Sequence, residues 1–392
     1  MKLELVATCL FGLEKLLGEE IEALGYEKIS TIDGRVTFLG DEEAVALSNV
    51  FLRYAERVFI KLGSFRAESF EELFEGTKNL PWADFIGKND AFPVKGHSIR
   101  SKLFSIPDCQ AIVKKAVVRS MSARYGIDLF PEDGAKFQIE FFILNDEAAL
   151  MIDTSGIALH KRGYRKDALG APIRETLAAA IVATSRPREN VLLWDPMCGS
   201  GTIAIEAAMK MKNIAPGINR SFAAEQFGFM PKGIFERAKE EAREGEIKTE
   251  FEAFASDIDP SAVALAEKNV RLAGVSDVVR VFEADARKIS AEGRRGTIVS
   301  NPPYGERLGT QKEAERLYSE IGEHFRSLSP WQVYIITSHP SFEKFYGMRA
   351  DKVRKLYNGM LPCYLYQYFK SETRKESERR EGPSPKTSKK RK

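Results

Sequence analysis

Asn301-Pro302-Pro303-Tyr304 concentrates more usable chemistry than any other stretch of this 392-residue chain. The apolar run Thr297-Ile298-Val299 precedes it and predicts a short buried strand. That strand would deliver the Asn301 amide at its end, where ligand crevices of open α/β sheets lie. Pro302 and Pro303 lack N–H donors and hold φ nearly fixed, so the backbone is stiff and offers only carbonyl acceptors. Pro302 also keeps Asn301 out of the helical region. Tyr304 adds a ring face, and Gly305 permits a sharp turn. Acceptors, stiffness and a stacking face suit one task, the holding of a flat ring that bears an amino group. Glu306, Arg307 and Leu308 continue the stretch, and no chemistry for them follows from their types.

A second stretch runs Asp195-Pro196-Met197-Cys198-Gly199-Ser200-Gly201-Thr202, between the apolar residues 191–194 and a helical pattern from Ile203. Strand, glycine turn and helix start, in that order, suit a ligand at the first strand's carboxyl end. The dinucleotide fingerprint GxGxxG is incomplete, because residue 204 is Ala. An Asp ahead of the glycines can accept from an ammonium group, which favours an amino-acid-bearing nucleoside over a pyrophosphate. Further on, Ser256-Asp257-Ile258-Asp259-Pro260 ends a second strand. Asp259 before proline reads as a helix cap, which leaves Asp257 to bind ribose hydroxyls. Glu283-Ala284-Asp285-Ala286 ends a third, where Asp285 either accepts from an adenine amino group or closes a turn.

The elements that must position these groups follow from periodicity. Residues 1–60 alternate strand and helix signals in a βαβα pattern that suggests a ferredoxin-like unit. Residues 61–155 predict a second small α/β unit, with a hairpin around Asn145-Asp146. It carries a basic strand-like segment, Phe92 to Lys102, and a helix opening at Ile106-Pro107-Asp108. Lys95, Arg100, Lys102 and Lys114 there could track a phosphate backbone, or form an ordinary solvated face. Residues 156–171 predict a linker, in which Arg162, Tyr164 and Arg165 offer charge and a ring for a base. Residues 172–370 predict an α/β domain that ends in an antiparallel hairpin around Asn358-Gly359. Its segment of about 213–250, with Phe222, Phe227 and Phe229, reads as an insertion over the mouth of the site.

Composition sets the outer limits. Hydrophobic content of 43% and charged content of 29% are those of a globular protein, with two or three domains at this length. The opening residues lack an apolar leader. Cys9, Cys109, Cys198 and Cys363 form no CxxC pair, and the four histidines are scattered, so neither disulfides nor a metal site is expected, and the cytoplasm is the expected compartment. Residues 371–392 hold nine Lys/Arg and four Asp/Glu, which leaves −2 on the remainder of a chain whose net charge is +3. This basic tail is expected to be disordered, and any nucleic-acid surface on the body must be a local patch.

Taken together, DPMCGSGT, SDIDP, EADA and NPPYGERLG resemble the class I S-adenosylmethionine (SAM)-dependent methyltransferases, and NPPY resembles the branch that methylates nitrogen on planar substrates. The FPVKGHSIRSKL segment and its layout resemble a THUMP domain. The combination is similar to the bacterial 23S rRNA guanine-N2 methyltransferases. The resemblance implies a Rossmann-like domain with a mostly parallel seven-stranded sheet, preceded by ferredoxin-like and THUMP-like α+β domains. It implies SAM as methyl donor, S-adenosylhomocysteine (SAH) as product, and RNA as partner, either 23S rRNA or a large-subunit assembly intermediate. Asp195, Met197, Gly199 and Gly201 would hold the methionine part of SAM, Asp257 the ribose, and Asp285 with Ala286 the adenine. Asn301 and the Pro302 carbonyl would accept from the target amine, and Tyr304 would stack on the flipped base. NPPY alone also allows an adenine N6, a tRNA guanine or a protein glutamine amide as target. A non-catalytic RNA-binding assembly protein is the alternative of another class.

Overall fold

A computed structural model describes residues 1–165, 172–305 and 310–369. The chain divides into two units, the first Met1–Lys166 with Arg174–Ala180 and Lys212–Lys248, the second Asp167–Ile173 with Ile181–Met211 and Thr249–Lys392. The expected tail, and Glu306, Arg307 and Leu308, lie outside the described residues.

The first unit opens β1 (Leu3–Cys9), α1 (Glu14–Ala23), β2 (Lys28–Ile32), β3 (Arg35–Gly40), α2 (Glu42–Phe51) and β4 (Ala55–Arg66). This is βαββαβ, two strands richer than the expected βαβα, the additions being β2 and β4. Every residue of β2 is exposed, so no apolar alternation marks it in the sequence. Next come α3 (Phe70–Lys78), β5 (Val94–Ile99), α4 (Ile106–Tyr125), β6 (Ile139–Leu144) and β7 (Glu147–Asp153). Asn145 and Asp146, with φ of 52° and 66°, turn β6 into β7 through the left-handed pair that a two-residue hairpin requires. β4 offers one edge to β1 and the other to β7, so a single sheet of order β2-β3-β1-β4-β7-β6-β5 runs through both small domains. The boundary expected after residue 60 therefore falls inside a strand.

The remaining elements are α5 (Glu175–Ser185), β8 (Leu192–Asp195), α6 (Thr202–Met211), α7 (Ile234–Glu244), β9 (Ala253–Asp257), α8 (Pro260–Leu272), β10 (Val279–Glu283), β11 (Gly296–Ser300), α9 (Gln311–Ser327), β12 (Gln332–Thr337), α10 (Phe342–Tyr346), β13 (Lys352–Asn358) and β14 (Leu361–Tyr368). The segment expected over the mouth of the site, including α7, packs within the first unit. Phe227 stacks on Phe137 with ring centres 4.0 Å apart, and the Gly217 N–H donates to the Val50 carbonyl at 2.9 Å. A Cβ on Gly217 would stand 2.7 Å from Asn49 O and Val50 Cα, so this close approach requires glycine.

The second sheet has the order β10-β9-β8-β11-β12-β14-β13. Its first five strands are parallel, and β14 is antiparallel to both β12 and β13. The chain moves outward from β8 through β9 to β10, then returns to lay β11 on the other side of β8. That reversal opens a crevice at the carboxyl ends of β8 and β11. Ile298, Tyr318, Ile321, Phe325, Ile335 and Phe342 pack α9 and α10 against the sheet and hold those strand ends in place.

Candidate active site

Asp195 ends β8 and Ser300 ends β11, on adjacent strands of the crevice. The Ser300 hydroxyl donates to Asp195 Oδ1 at 2.8 Å, and the Met197 N–H approaches the same oxygen at 3.4 Å. Oδ2 accepts no hydrogen bond among the described residues. Asp195 is buried, and desolvation pushes its carboxyl up to about 7 despite the Ser300 bond; Asp257 adds like charge. A buried carboxylate with one oxygen unserved fits the ammonium of an amino-acid ligand, which would relieve the burial cost.

The turn after Asp195 is pinned from two sides. The Cys198 N–H donates to Ser256 O at 2.9 Å, and Asn269 of α8 donates to Ser200 O at 2.9 Å. Gly199, with φ of +50°, has open space where a side chain would stand, which suits close approach of a ligand. Gly201 serves packing. At φ of +79° its Cβ would lie 3.2 Å from Ala266 Cβ, so glycine there seats α6 against α8. Asp257 accepts from the Gly199 N–H at 2.9 Å and the Asp259 N–H at 3.1 Å, which ties the end of β9 to the glycine turn. Asp259 caps α8 through Ser261.

Asp285 does close a turn. It accepts from the Arg287 N–H and forms a bidentate pair with the Arg287 guanidinium at 2.8 Å, which holds its carboxyl below the ordinary range. Arg287 also meets Glu320 at 2.9 Å. Ala286 is buried beside it. Between Asp257 and Asp259, Ile258 is 60% exposed, an apolar surface at a strand end that sequence reading passed over because SDIDP reads as a capping motif.

Asn301 follows Ser300 directly, so the amide and the Asp195 carboxylate are fixed to each other through one hydroxyl. The Tyr304 hydroxyl donates to Asn301 Oδ1 at 2.5 Å. Tyr304 is thus an orienting partner of the amide as well as a ring face. The Tyr318 hydroxyl of α9 donates to Pro303 O at 2.7 Å and meets Thr337 at 3.1 Å, which anchors the loop to β12. Gly305, at φ of +80°, passes so near α9 that a Cβ would lie 2.7 Å from Gln311 Cα. Neither Ser300 nor Tyr318 stood out in the sequence. A hydroxyl at the strand end, directly before Asn301, was the signal for Ser300; Tyr318 gave none, since its helical spacing also suits plain core packing.

The six basic residues expected to bind RNA separate. Lys95 and Arg100 are exposed on β5 and just beyond it, and Lys102 is exposed but paired with Glu68. Lys114 is engaged within its own domain by Glu132, by Phe92 O at 3.1 Å and by the Phe92 ring at 3.6 Å. Arg162 is a correction. It is buried, and its guanidinium donates to the Leu159 carbonyl at 2.7 Å and to the Arg53 carbonyl. Arg165 is a second, paired with Glu175 at 2.8 Å with its side chain 11% exposed. Tyr164 is buried as well. Within the expected linker up to residue 165, Arg162 thus satisfies backbone carbonyls and Arg165 a buried carboxylate. Phe104, 82% exposed just after Lys102, is an aromatic surface that the sequence reading left out.

Among the described residues no group of three or more His, Cys, Asp and Glu is placed to hold a metal ion, the four cysteines are free and buried, and no helix is long and apolar enough to cross a membrane.

Comparison with known proteins finds three family models along the chain. Residues 162–367 match the RMKL-like methyltransferase domain, residues 4–59 the RlmL ferredoxin-like domain, and residues 67–153 the THUMP domain. A Bacillus subtilis (strain 168) protein with the provisional name RNA methyltransferase YpsC is 43% identical over 94% of this chain and 96% of its own length. The crystal structure of SMU.472, provisionally named a methyltransferase and complexed with SAH, is 41% identical with a TM-score of 0.87, covering 94% of this chain and 98% of that one. A Listeria monocytogenes str. 4b F2365 structure with the provisional name N6-adenine-specific DNA methylase is 43% identical with a TM-score of 0.87, covering 94% and 96%.

Proposed function

We propose that this chain, which belongs to the RMKL-like family of SAM-dependent methyltransferases, methylates the exocyclic N2 amine of a guanine in large-subunit (23S) rRNA. The observation that carries the reading is the Asp195–Ser300–Asn301 connection, which couples a carboxylate suited to the donor's ammonium to an amide suited to an acceptor amine. The THUMP domain supports RNA over other carriers of that amine.

SAM supplies a methyl group on a sulfonium, an electrophile that needs only an aligned nucleophile. Asp195 would bind the ammonium and Asp257 the ribose hydroxyls, while Met197 and Gly199 would line the methionine part. Ile258 and Ala286 would flank the adenine, and the Asp285–Arg287 pair braces the turn that carries Ala286. An aromatic exocyclic amine is a weak nucleophile, because its lone pair is delocalised into the ring. Asn301 Oδ1 and the Pro302 carbonyl draw its two N–H groups toward them, which frees the lone pair and directs it at the methyl. Oδ1 has a second lone pair, so the Tyr304 hydroxyl keeps its bond while the amine binds. Catalysis is then mainly positioning. As the N–CH3 bond forms, the S–CH3 bond would break with its electron pair staying on sulfur, leaving SAH; no strong base is needed beforehand, since the nitrogen's proton becomes acidic only then and passes to water. An RNA target puts the enzyme in the cytoplasm.

Mass spectrometry of rRNA nucleosides from cells lacking the gene tests the proposal. Loss of one N2-methylguanosine is expected, and an unchanged nucleoside profile refutes it. The name of the Listeria protein favours a second reading, adenine N6 methylation. Labelled methyl entering DNA but not deproteinised rRNA would select it.

A further inference from the structure

The hairpin of β13 and β14 carries none of the residues assigned above to SAM or to the target amine, yet it stands beside Tyr304. β14 runs antiparallel to β12, and Tyr364 pairs with Thr337, the last residue of β12, so β14 begins at the carboxyl edge where Asn301 emerges. Cys363 Sγ lies 3.8 Å from the Tyr304 hydroxyl. From Cys363 the strand leads outward through Pro362 and Leu361 to the turn, which at about 3.4 Å per residue stands roughly 10 Å further out.

The turn is built to be stiff. The register pairs Asn358 with Leu361, so the loop is Gly359-Met360 and not the Asn358-Gly359 pair the sequence suggests. Gly359 has φ of +67° and Met360 has none in that region, the pattern of a type II′ turn with glycine first. Tyr357 and Pro362 then form a non-hydrogen-bonded pair, where the proline's missing N–H costs no ladder bond. At the apex Met360 is 94% exposed. Exposed Lys355 sits lower on the hairpin, its Nζ 5.3 Å from the Tyr357 ring centre.

We infer that this tip is a wedge for the nucleotide strand: Met360 packs on the base next to the one turned into the Asn301 site, and Lys355 meets a phosphate of the same strand. The inference rests on the RNA methylation proposed above. Reaching an exocyclic amine requires a stacked base to leave its stack, which opens a gap beside it. An unbranched, polarizable side chain on a stiff protrusion can fill that gap. A lone exposed methionine carries no such meaning elsewhere on a surface. Here the contact with Tyr304 and the cation on the same hairpin point to a nucleic-acid strand.

The test uses the full chain, in vitro-transcribed unmodified 23S rRNA and labelled SAM. Met360→Ser should lower kcat/KM for the RNA by about tenfold or more, the scale of one lost base contact. Met360→Leu should stay within about twofold, and SAM affinity by calorimetry should be unchanged in both. Lys355→Ala should raise KM for RNA and flatten its salt dependence. Wild-type turnover of rRNA by Met360→Ser, or a matching loss of SAM affinity, overturns the wedge and leaves the proposed function standing. Failure of the wild-type chain to label rRNA at all overturns the proposed function, and the wedge with it.

Discussion

Replacing Asp195 by asparagine tests the donor half of the site through its proton. The buried carboxyl is pushed up to about 7 from an ordinary 3.8, so near pH 7 it is half protonated. Binding an ammonium there requires the carboxylate. Donor binding must therefore expel a proton below pH 7, and the apparent Kd should rise about tenfold for each pH unit below that point, flattening above about pH 8. Calorimetry in buffers of different ionisation enthalpy, at pH 6, 7 and 8, reads both the affinity and the proton released. The substituted amide could still accept from Ser300 and from the Met197 N–H, so the turn should survive in Asp195→Asn. What the variant loses is a charge-assisted bond, about 1.5–3 kcal/mol or roughly 10- to 150-fold in Kd, and the pH dependence with it. Stability should move the other way. With the folded-state pKa above the unfolded one, the native chain holds the extra proton between pH 3.8 and about 7, so the wild type loses stability as pH rises through that window. By pH 8 the loss reaches an upper bound of roughly 4 kcal/mol, and Asp195→Asn should escape it. A wild-type Kd that is flat from pH 5.5 to 8, with no proton release, refutes the assignment of Asp195 to the ammonium.

Asn301→Ala should cut methyl transfer by about 100-fold or more while leaving SAM affinity within about twofold, as single-turnover assays and calorimetry would read; equal loss of both would contradict its acceptor role. Tyr304→Phe keeps the ring and removes the hydroxyl that orients Asn301, so kcat should fall by about 3- to 10-fold, whereas Tyr304→Ala should cost about 100-fold. Wild-type kcat in Tyr304→Phe would remove the orienting role. Gly305→Ala must accommodate both a positive φ and the approach to Gln311, and should lower stability by about 1–3 kcal/mol in chemical denaturation. Lys95→Ala should reduce the slope of log affinity for RNA against log salt by about one, while Lys114→Ala, already paired within its domain, should leave that slope unchanged.

Local chemistry was legible in the residue string because it depends on neighbours along the chain. A carboxylate before two glycines, an Asp before a proline and an amide before two prolines each constrain their own backbone, so turn, cap and stiff loop could be read off directly. Exposed charge was not legible in the same way. Lys, Arg and Tyr are chosen for surfaces and for buried polar networks alike, and only packing tells Lys95 from Arg162. The glycines divided likewise: Gly199 faces open space, while Gly201 is required by Ala266, a residue 65 positions away.

Most of the element order from β8 onward and the identity of the stiff NPPY segment followed from the sequence alone, since they arise from periodicity and from φ restrictions within a few residues, whereas exposed β2 left no such trace. Strand order came only from the tertiary structure. The return of β11 to the free edge of β8 is a long-range pairing, and it is what sets Ser300 against Asp195 and brings the Asn301 amide to the crevice at the carboxyl ends of those strands. The same holds for Tyr318 and Cys363, which reach the Pro303–Tyr304 turn from a helix 15 positions on and a strand 59 positions on. Hydrogen bonds across such distances leave no periodic trace in sequence, because their geometry is set by how the sheet is assembled.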